Sequence, residues 1–375
     1  ASPAAQRSAA GGRQAGRRRG RDPSMDFDDL DEQEEAQAPA YQPREYIPPI
    51  HRSFRLPDFD RLPGAILDNV IGQKDLHTKA RPKVCIRAFV FYGAGDAWYQ
   101  WAETAARAPD FCEVAIHEWP SHGEAISRGE EDPPATLDHL AEDAFRALKP
   151  SMEQHAAGGR VAGAPFALIG HSIGCLVVTA LAKLLRERLQ LEPAAVVMLD
   201  RAAPHLPLHS EFGQQKRRED PDYFLQHYIP GIFKAAEEKS KVDPAKGQAM
   251  KDTWLNDIPL ASDTREIGYH RFECDVLVLR ATQNFIGAWV QDDWPDEVKE
   301  AHKKRDELMG SPPGCNADFS TEQFEEWQEW VASPGKLIIK DVDTTHMGVK
   351  THGKSLEIIW DLLREKKAPD PPKDA

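Results

Sequence analysis

The stretch PFALIGHSIGCLVVTAL, residues 165–181, limits what this chain can fold into more than any other. Phe166-Ala167-Leu168-Ile169 reads as a short apolar strand, and Gly170-His171-Ser172-Ile173-Gly174 reads as a tight turn. After the turn, Val177, Ala180, Leu181, Leu184 and Leu185 recur at i, i+3, i+4, the spacing of a helix with one buried side. A G-x-S-x-G between a strand and a helix holds its serine at the apex of a strained turn, with the hydroxyl projecting above the sheet. Gly170 and Gly174 fit because a Cβ at either position would collide with a neighbouring strand or helix. The Ile173 N–H is left at a helix start, facing the place where negative charge would develop on an oxygen. The plainer alternative is a Gly-rich turn with a bystander serine.

The rest of the chain repeats the strand-then-helix rhythm. Val84–Phe91 is a near-continuous apolar run, the mark of a strand buried on both faces. It ends in Tyr92-Gly93-Ala94-Gly95-Asp96, and a helix is predicted from about Ala97 to Arg107. A strand over Cys112–Glu118, a loop over Trp119–Glu124 and an amphipathic helix over Leu137–Leu148 lead to the turn described above. Beyond it, strands are predicted at Ala194–Asp200, Asp275–Ala281 and Lys336–Val342, with helices at Thr321–Val331 and Ser355–Glu365. Strands alternating with helices imply βαβ units and a mostly parallel sheet, so the fold class is α/β.

Two segments interrupt the rhythm. Residues 203–270 are helical, mixed in polarity and rich in aromatics such as Phe224, Tyr228 and Trp254. An insertion there would overlie the carboxyl edge of the sheet, which suits a lid, although a plain surface subdomain has the same pattern. Residues 285–315 form a charged, Pro-containing insertion. The folded domain is thus expected over 83–365, with a loose tail over 366–375. Ahead of it, residues 1–82 read as a low-complexity extension and linker. Arg7, Arg13, Arg17, Arg18, Arg19 and Arg21 precede the first acid, Asp22, and residues 26–35 carry seven acids. The Arg-rich stretch fits either a transit peptide or translated sequence upstream of Met25.

Composition excludes several classes. The 375-residue chain carries a net charge of −14, which argues against nucleic acid because phosphate neutralisation needs a basic face. No apolar run approaches the ~20 residues that cross a bilayer. Five scattered cysteines, with no C-x-x-C pair, favour reduced thiols and argue against a zinc site. The expected location is the cytoplasm, or a plastid or other organelle if the N-terminus is a transit peptide.

A serine hydroxyl is a poor nucleophile at neutral pH. It needs an imidazole to take its proton and an acid to fix that imidazole's tautomer. Where a serine sits on such an elbow, the chain order is serine, acid, histidine. His346 fits the base, since it lies late in the chain in Asp343-Thr344-Thr345-His346-Met347, directly after a predicted strand. His171 is locked into the turn, His205 and His209 open the insertion, and His352 falls at the start of the last helix.

At this point the sequence resembles the α/β-hydrolase thioesterases of polyketide and nonribosomal peptide synthesis, especially the free-standing type II enzymes. The likeness covers about residues 83–362. Phe91-Tyr92-Gly93-Ala94-Gly95 stands where that family carries an oxyanion loop, and Trp101-Ala102 follows at the familiar distance. Pro120-Ser121-His122-Gly123-Glu124 is similar to a family loop, and Pro165–Ser172 is very close to its elbow. Ala203-Pro204-His205-Leu206-Pro207 matches a type II segment, and Pro259-Leu260, Asp263, Tyr269 and Cys274-Asp275-Val276 are similar to its late lid and next strand. Trp327 and then His346 complete the order.

The resemblance implies an α/β-hydrolase fold, a mostly parallel sheet with a helical lid insertion. It also implies a serine hydrolase acting on acyl thioesters of polyketide or fatty acid biosynthesis. Ile173 and Ala94 would supply the oxyanion-hole N–H groups. No metal or cofactor is implied, although the substrate would carry phosphopantetheine as an acyl carrier protein or acyl-CoA. A monomer is expected. The chain departs from the family at the acid, where the corresponding position holds Asn284. Asp200, at the end of the strand after the elbow helix, is one replacement, as in thioesterase domains at the ends of synthase modules. Asp318, displaced by the 285–315 insertion, is the other. A carboxylesterase or lipase would share these residues, and a hydrolase-fold binding protein without catalysis is the reading left if the acid is lost.

Overall fold

The computed structural model describes residues 54–55, 86–120, 122, 134, 136–156, 165–283, 296–311 and 319–367. Asn284, Asp318, residues 1–53 and 56–85 of the predicted extension and the start of the domain, and residues 368–375 of the tail lie outside the described residues. So do residues 285–295 and 312–315 of the second insertion.

Among the described residues, seven strands make one sheet. They are β1 (Phe54–Arg55), β2 (Ile86–Phe91), β3 (Cys112–His117), β4 (Phe166–His171), β5 (Ala195–Leu199), β6 (Asp275–Ala281) and β7 (Leu337–Val342). Their order is β1-β3-β2-β4-β5-β6-β7. β1 runs antiparallel to β3, and the other six strands are parallel. Every residue of β2, β4 and β5 is buried, which is why these strands read as unbroken apolar runs instead of alternating ones.

The connecting helices are α1 (Ala102–Ala106), entered through a 3-10 turn over Trp98–Trp101, α2 (Leu137–Ala156) and α3 (Ile173–Leu189). The α2 helix continues past the predicted end at Leu148 and through Pro150, into residues that are mostly good helix formers. Leu176, Val177, Leu181 and Leu185 of α3 are fully buried. Each such side chain contributes about 1.5–3 kcal/mol by leaving water.

The topology sets the place of the site. β2 lies between β3 and β4, so the chain order of the sheet reverses there. Phe91 at the end of β2 is level with Gly170 on β4, and His171 is level with Leu199 on β5. The loops leaving β2, β4 and β5 therefore emerge side by side at the carboxyl edge, where open parallel sheets bind their ligands.

Four helices fill the first insertion: α4 (Glu211–Glu219), α5 (Pro221–Tyr228), α6 (Pro230–Ser240) and α7 (Pro244–Ala261). Ser210, Asp220 and Asp243 cap α4, α5 and α7 through their side chains, and α5, α6 and α7 begin with proline. A further helix, α8 (Asp296–Met309), lies within the stretch read from sequence as a charged insertion. Its buried positions are His302, Arg305, Leu308 and Met309, at helical spacing, but two of the four are polar and hid the pattern. The Ser210 hydroxyl donates to the Leu308 carbonyl at 3.0 Å, which ties α8 to the start of α4. The predicted helix over 321–331 is divided into α9 (Thr321–Glu325) and a 3-10 turn over Glu326–Trp330; α10 (Gly353–Lys366) closes the fold.

The start of α3 presses directly on the end of β2. A Cβ on Gly174 would overlap the Phe91 carbonyl oxygen. Gly174→Ala is expected to destabilise the fold by about 1–3 kcal/mol or more, the usual cost of overpacking a site that cannot relax. Urea denaturation checks this, and an unchanged midpoint would contradict the close approach.

Candidate active site

Ser172 stands between β4 and α3 with φ 54 and ψ −120, a conformation that side chains avoid and that costs about 1–3 kcal/mol. Its backbone is held from both sides. The Ser172 N–H donates to the Leu199 carbonyl and the Cys175 N–H donates to the Ser172 carbonyl, each at 3.0 Å. A Cβ on Gly170 would lie 2.6 Å from the Cys175 Cα, so glycine there is a condition of the turn. The neighbouring Cys175 is not a rival nucleophile. Burial pushes its thiol up to about 12, and its Sγ faces the Leu199 carbonyl at 3.7 Å.

His346 follows β7 and Asp200 follows β5. The His346 Nδ1–H donates to Asp200 Oδ2 at 2.7 Å, and both residues are buried. The other oxygen of Asp200 accepts the Ala281 N–H of β6 at 2.8 Å, and the Asp200 N–H donates to the Leu279 carbonyl at 2.8 Å. Asp200 is also strained, with φ 49. An acid pinned this way by a neighbouring strand fixes which ring nitrogen of His346 carries the proton. Arg201 donates to the Ala202 and Leu206 carbonyls at 3.3 and 2.9 Å, so its guanidinium is engaged elsewhere.

His171 supports the same loop. Its Nε2–H donates to the His346 carbonyl at 2.9 Å, and the two rings lie 4.7 Å apart. Burial pushes the pKa of His171 down to about 4 against the opposing pull of Asp96, so at neutral pH it places no charge beside His346. Lys350, on the same turn as His346, donates to both oxygens of Asp96 at 2.8 and 2.6 Å. Burial pushes the Asp96 carboxyl up, but the Lys350 ammonium and His171 outweigh it and hold it at about 2. This buried pair ties the His346 loop to the loop after β2.

Gly93, Ala94, Ser172 and His346 line one pocket, roofed by Leu208, Tyr228, Trp254, Ile258 and Ala261 of the helical insertion and its approach. Its cavity volume is about 10 Å³, roughly what one water needs. The Ala94 N–H donates to no acceptor among the described residues. The Ile173 N–H lies in the first turn of α3, beyond the reach of intrahelical carbonyls. The structure thus brings Ser172, His346, Asp200, Ala94 and Ile173 together. Four further residues of this region had no role in the sequence reading: Asp96, Lys350, Asp257 and His122. Asp257 left one signal, a carboxylate on the buried stripe of α7 formed by Trp254, Ile258 and Ala261. Among the described residues no three His, Cys, Asp or Glu side chains converge as metal ligands would. The described Cys112, Cys175 and Cys274 are buried and form no disulfide among the described residues, and no described helix is long and apolar enough to cross a membrane.

Residues 86–283 match the thioesterase domain family, which is more than half of the chain. The chain belongs to the thioesterase domain family. Membership makes it a hydrolase of the thioesterase class. The fold of this thioesterase domain is similar to RedJ, the thioesterase of the prodiginine biosynthetic pathway in Streptomyces coelicolor. The two share 18% identity over 76% of this chain and 88% of that one, with a TM-score of 0.52. It is also similar to YbtT, a type II thioesterase from the yersiniabactin NRPS/PKS pathway. Identity there is 14% over 78% of this chain and 98% of that one, with a TM-score of 0.54. At these identities the likeness is one of fold. No curated protein matches the sequence.

His171 also makes the thioesterase domain acid-sensitive. Its folded pKa of about 4 lies below the ordinary 6.5, so the unfolded chain binds its proton more readily. That stability is complete above pH ~6.5 and is lost as pH falls toward 4, at about 1.4 kcal/mol per pH unit. The buried His270, also pushed down to about 4, acts with the same sign. The urea midpoint is expected to fall between pH 7 and 4.5, less steeply in His171→Gln; a wild-type profile that stays flat would contradict the buried neutral imidazoles.

Proposed function

We propose that this chain is a serine thioesterase that hydrolyses acyl thioesters through an acyl-enzyme. The observation that carries the reading is the His346 Nδ1 to Asp200 Oδ2 hydrogen bond of 2.7 Å, made beside a pocket that Ser172 and His346 both line. The Ser172 Oγ attacks the thioester carbonyl while His346 Nε2 takes the hydroxyl proton. The buried Asp200 carboxylate holds the Nδ1–H tautomer and stabilises the imidazolium that forms. The N–H groups of Ile173 and Ala94 receive the oxyanion of the tetrahedral intermediate. His346 then gives its proton to the departing thiolate, and the thiol leaves. Water, deprotonated by His346, attacks the acyl-serine ester and frees the acid with Ser172 restored. These side chains and amides supply the whole reaction.

The leaving thiol in this reading is a phosphopantetheine arm, on an acyl carrier protein or coenzyme A. Support comes from the family and from the likeness of fold to thioesterases of the prodiginine and yersiniabactin biosynthetic pathways. The helical insertion acts as a lid. It roofs a pocket whose cavity volume is about 10 Å³, and its movement would widen that pocket as substrate enters.

Release of free thiol from acyl-CoA and from short acyl-N-acetylcysteamine thioesters, measured with a thiol-reactive dye, tests the reading. Ser172→Ala is expected to lower kcat by about 10³-fold or more, and Asp200→Asn by up to about 10⁴-fold. Asp318→Asn is expected to stay within about threefold of wild type. A large loss in Asp318→Asn with Asp200→Asn active would move the acid to the other position. Faster turnover of matched oxygen esters than of thioesters would make the chain a carboxylesterase instead.

A further inference from the structure

The helical insertion meets the loop after β2 at Gly95. Its φ is 65, and a Cβ there would run into the Trp254 indole on α7. One turn further along the same face of α7, the Asp257 carboxylate accepts the Gly95 N–H at 2.7 Å. Asp257 is fully buried, where a carboxylate persists only with donors to offset its lost hydration. Its second donor is His122. The His122 Nε2 lies 2.9 Å from the same Asp257 oxygen, and Nδ1 lies 3.0 Å from the Pro120 carbonyl. The Pro120 carbonyl accepts, as does Asp257 when ionised, so a doubly protonated ring would satisfy both contacts. Burial opposes charge on His122, but the attraction of Asp257 outweighs it and raises the His122 pKa above its ordinary value.

The consequence lies in the peptide planes on either side of Ala94. The Gly93 carbonyl accepts the Asp96 N–H at 3.2 Å. A trans peptide sets that carbonyl opposite the Ala94 N–H, so this turn bond aims the Ala94 N–H the other way. The next plane carries the Gly95 N–H, which Asp257 holds. One plane is thus fixed from within the loop and the other from the insertion.

We infer that Asp257 is a positioning residue for thioester hydrolysis: by accepting the Gly95 N–H from the helical insertion, it braces the Gly93–Asp96 turn, whose own hydrogen bond aims the Ala94 N–H at the oxyanion. The inference rests on Ser172 as nucleophile and Ala94 as hole donor. It makes a complete oxyanion hole a property of the closed insertion. When α7 lifts, the Gly95 plane loses its acceptor and the Gly93–Asp96 turn bond alone is left to aim the Ala94 N–H.

The test uses the full chain and an acyl-N-acetylcysteamine thioester. Asp257→Ala is expected to lower kcat about tenfold or more while KM stays within about threefold, since the lost contact serves the transition state. Asp257→Asn is expected to keep kcat within about threefold, because its amide oxygen accepts the same N–H. A residue that only stabilised the insertion would show a different split, with KM rising and the Asn variant impaired alongside the Ala variant. Either that pattern or an unchanged kcat in Asp257→Ala overturns the inference. The Gly95 amide in wild type, followed by hydrogen exchange, needs no variant to fold. Protection there supports the bond to Asp257, and exchange at the rate of an open loop overturns it. Hydrolysis that survives in Ser172→Ala overturns the site and this inference together. An active wild type, an inactive Ser172→Ala and an unimpaired Asp257→Ala overturn the positioning role alone.

Discussion

The hydrogen bond from His346 to Asp200 joins loops 146 residues apart in sequence, and the site exists only because the sheet brings them together. Three strands cooperate in it. β5 delivers Asp200, β6 clamps it through the Ala281 N–H, and β7 leads into the His346 loop. Parallel strands in register put all three loops at one edge, so the bond follows from the strand order and from little else. A slip of one residue between β5 and β6 would turn Asp200 to the other face of the sheet.

Around that bond the structure holds its strained and charged groups by redundancy. Ser172 and Asp200 both have positive φ, and each is fixed by backbone hydrogen bonds to a neighbouring strand or to its own turn. The Asp96 and Lys350 pair is buried, so its attraction first offsets the cost of dehydrating both charges and leaves little net stability. Its return is positional, since it ties the loop after β2 to the turn that carries His346. His171 completes the tie from β4 while remaining neutral, which leaves His346 as the only group of the pair that takes up a proton in the proposed reaction.

Much of this was legible in the sequence where one local rule decides the outcome. Runs such as Val84–Phe91 and Asp275–Ala281 read as buried strands because helices cover both faces, and their observed ends fall within a residue or two of the expected ones where described. The elbow was legible because a strand, two glycines and a helix agree on one turn. Legibility failed where tertiary contacts override local pattern. The α8 helix buries His302 and Arg305, so its stripe does not read as apolar. The 321–331 helix tightens to 3-10 over Glu326–Trp330 where Trp327 and Trp330 become fully buried. The acid was left open among Asp200, Asp318 and Asn284, because which loop reaches His346 depends on strand order. Asp257 went unread for a related reason: a carboxylate on an apolar stripe has meaning only once its partners, Gly95 and His122, are in place.

The central claim is that one backbone turn presents an activated hydroxyl and that a distant imidazole activates it. Covalent labelling with a fluorophosphonate probe, mapped by peptide mass spectrometry on the full chain, addresses it directly. The expected result is a single adduct on Ser172 that disappears when His346 is replaced by alanine. No adduct in the folded wild type, or an adduct on Ser172 that forms equally fast without His346, would contradict the account.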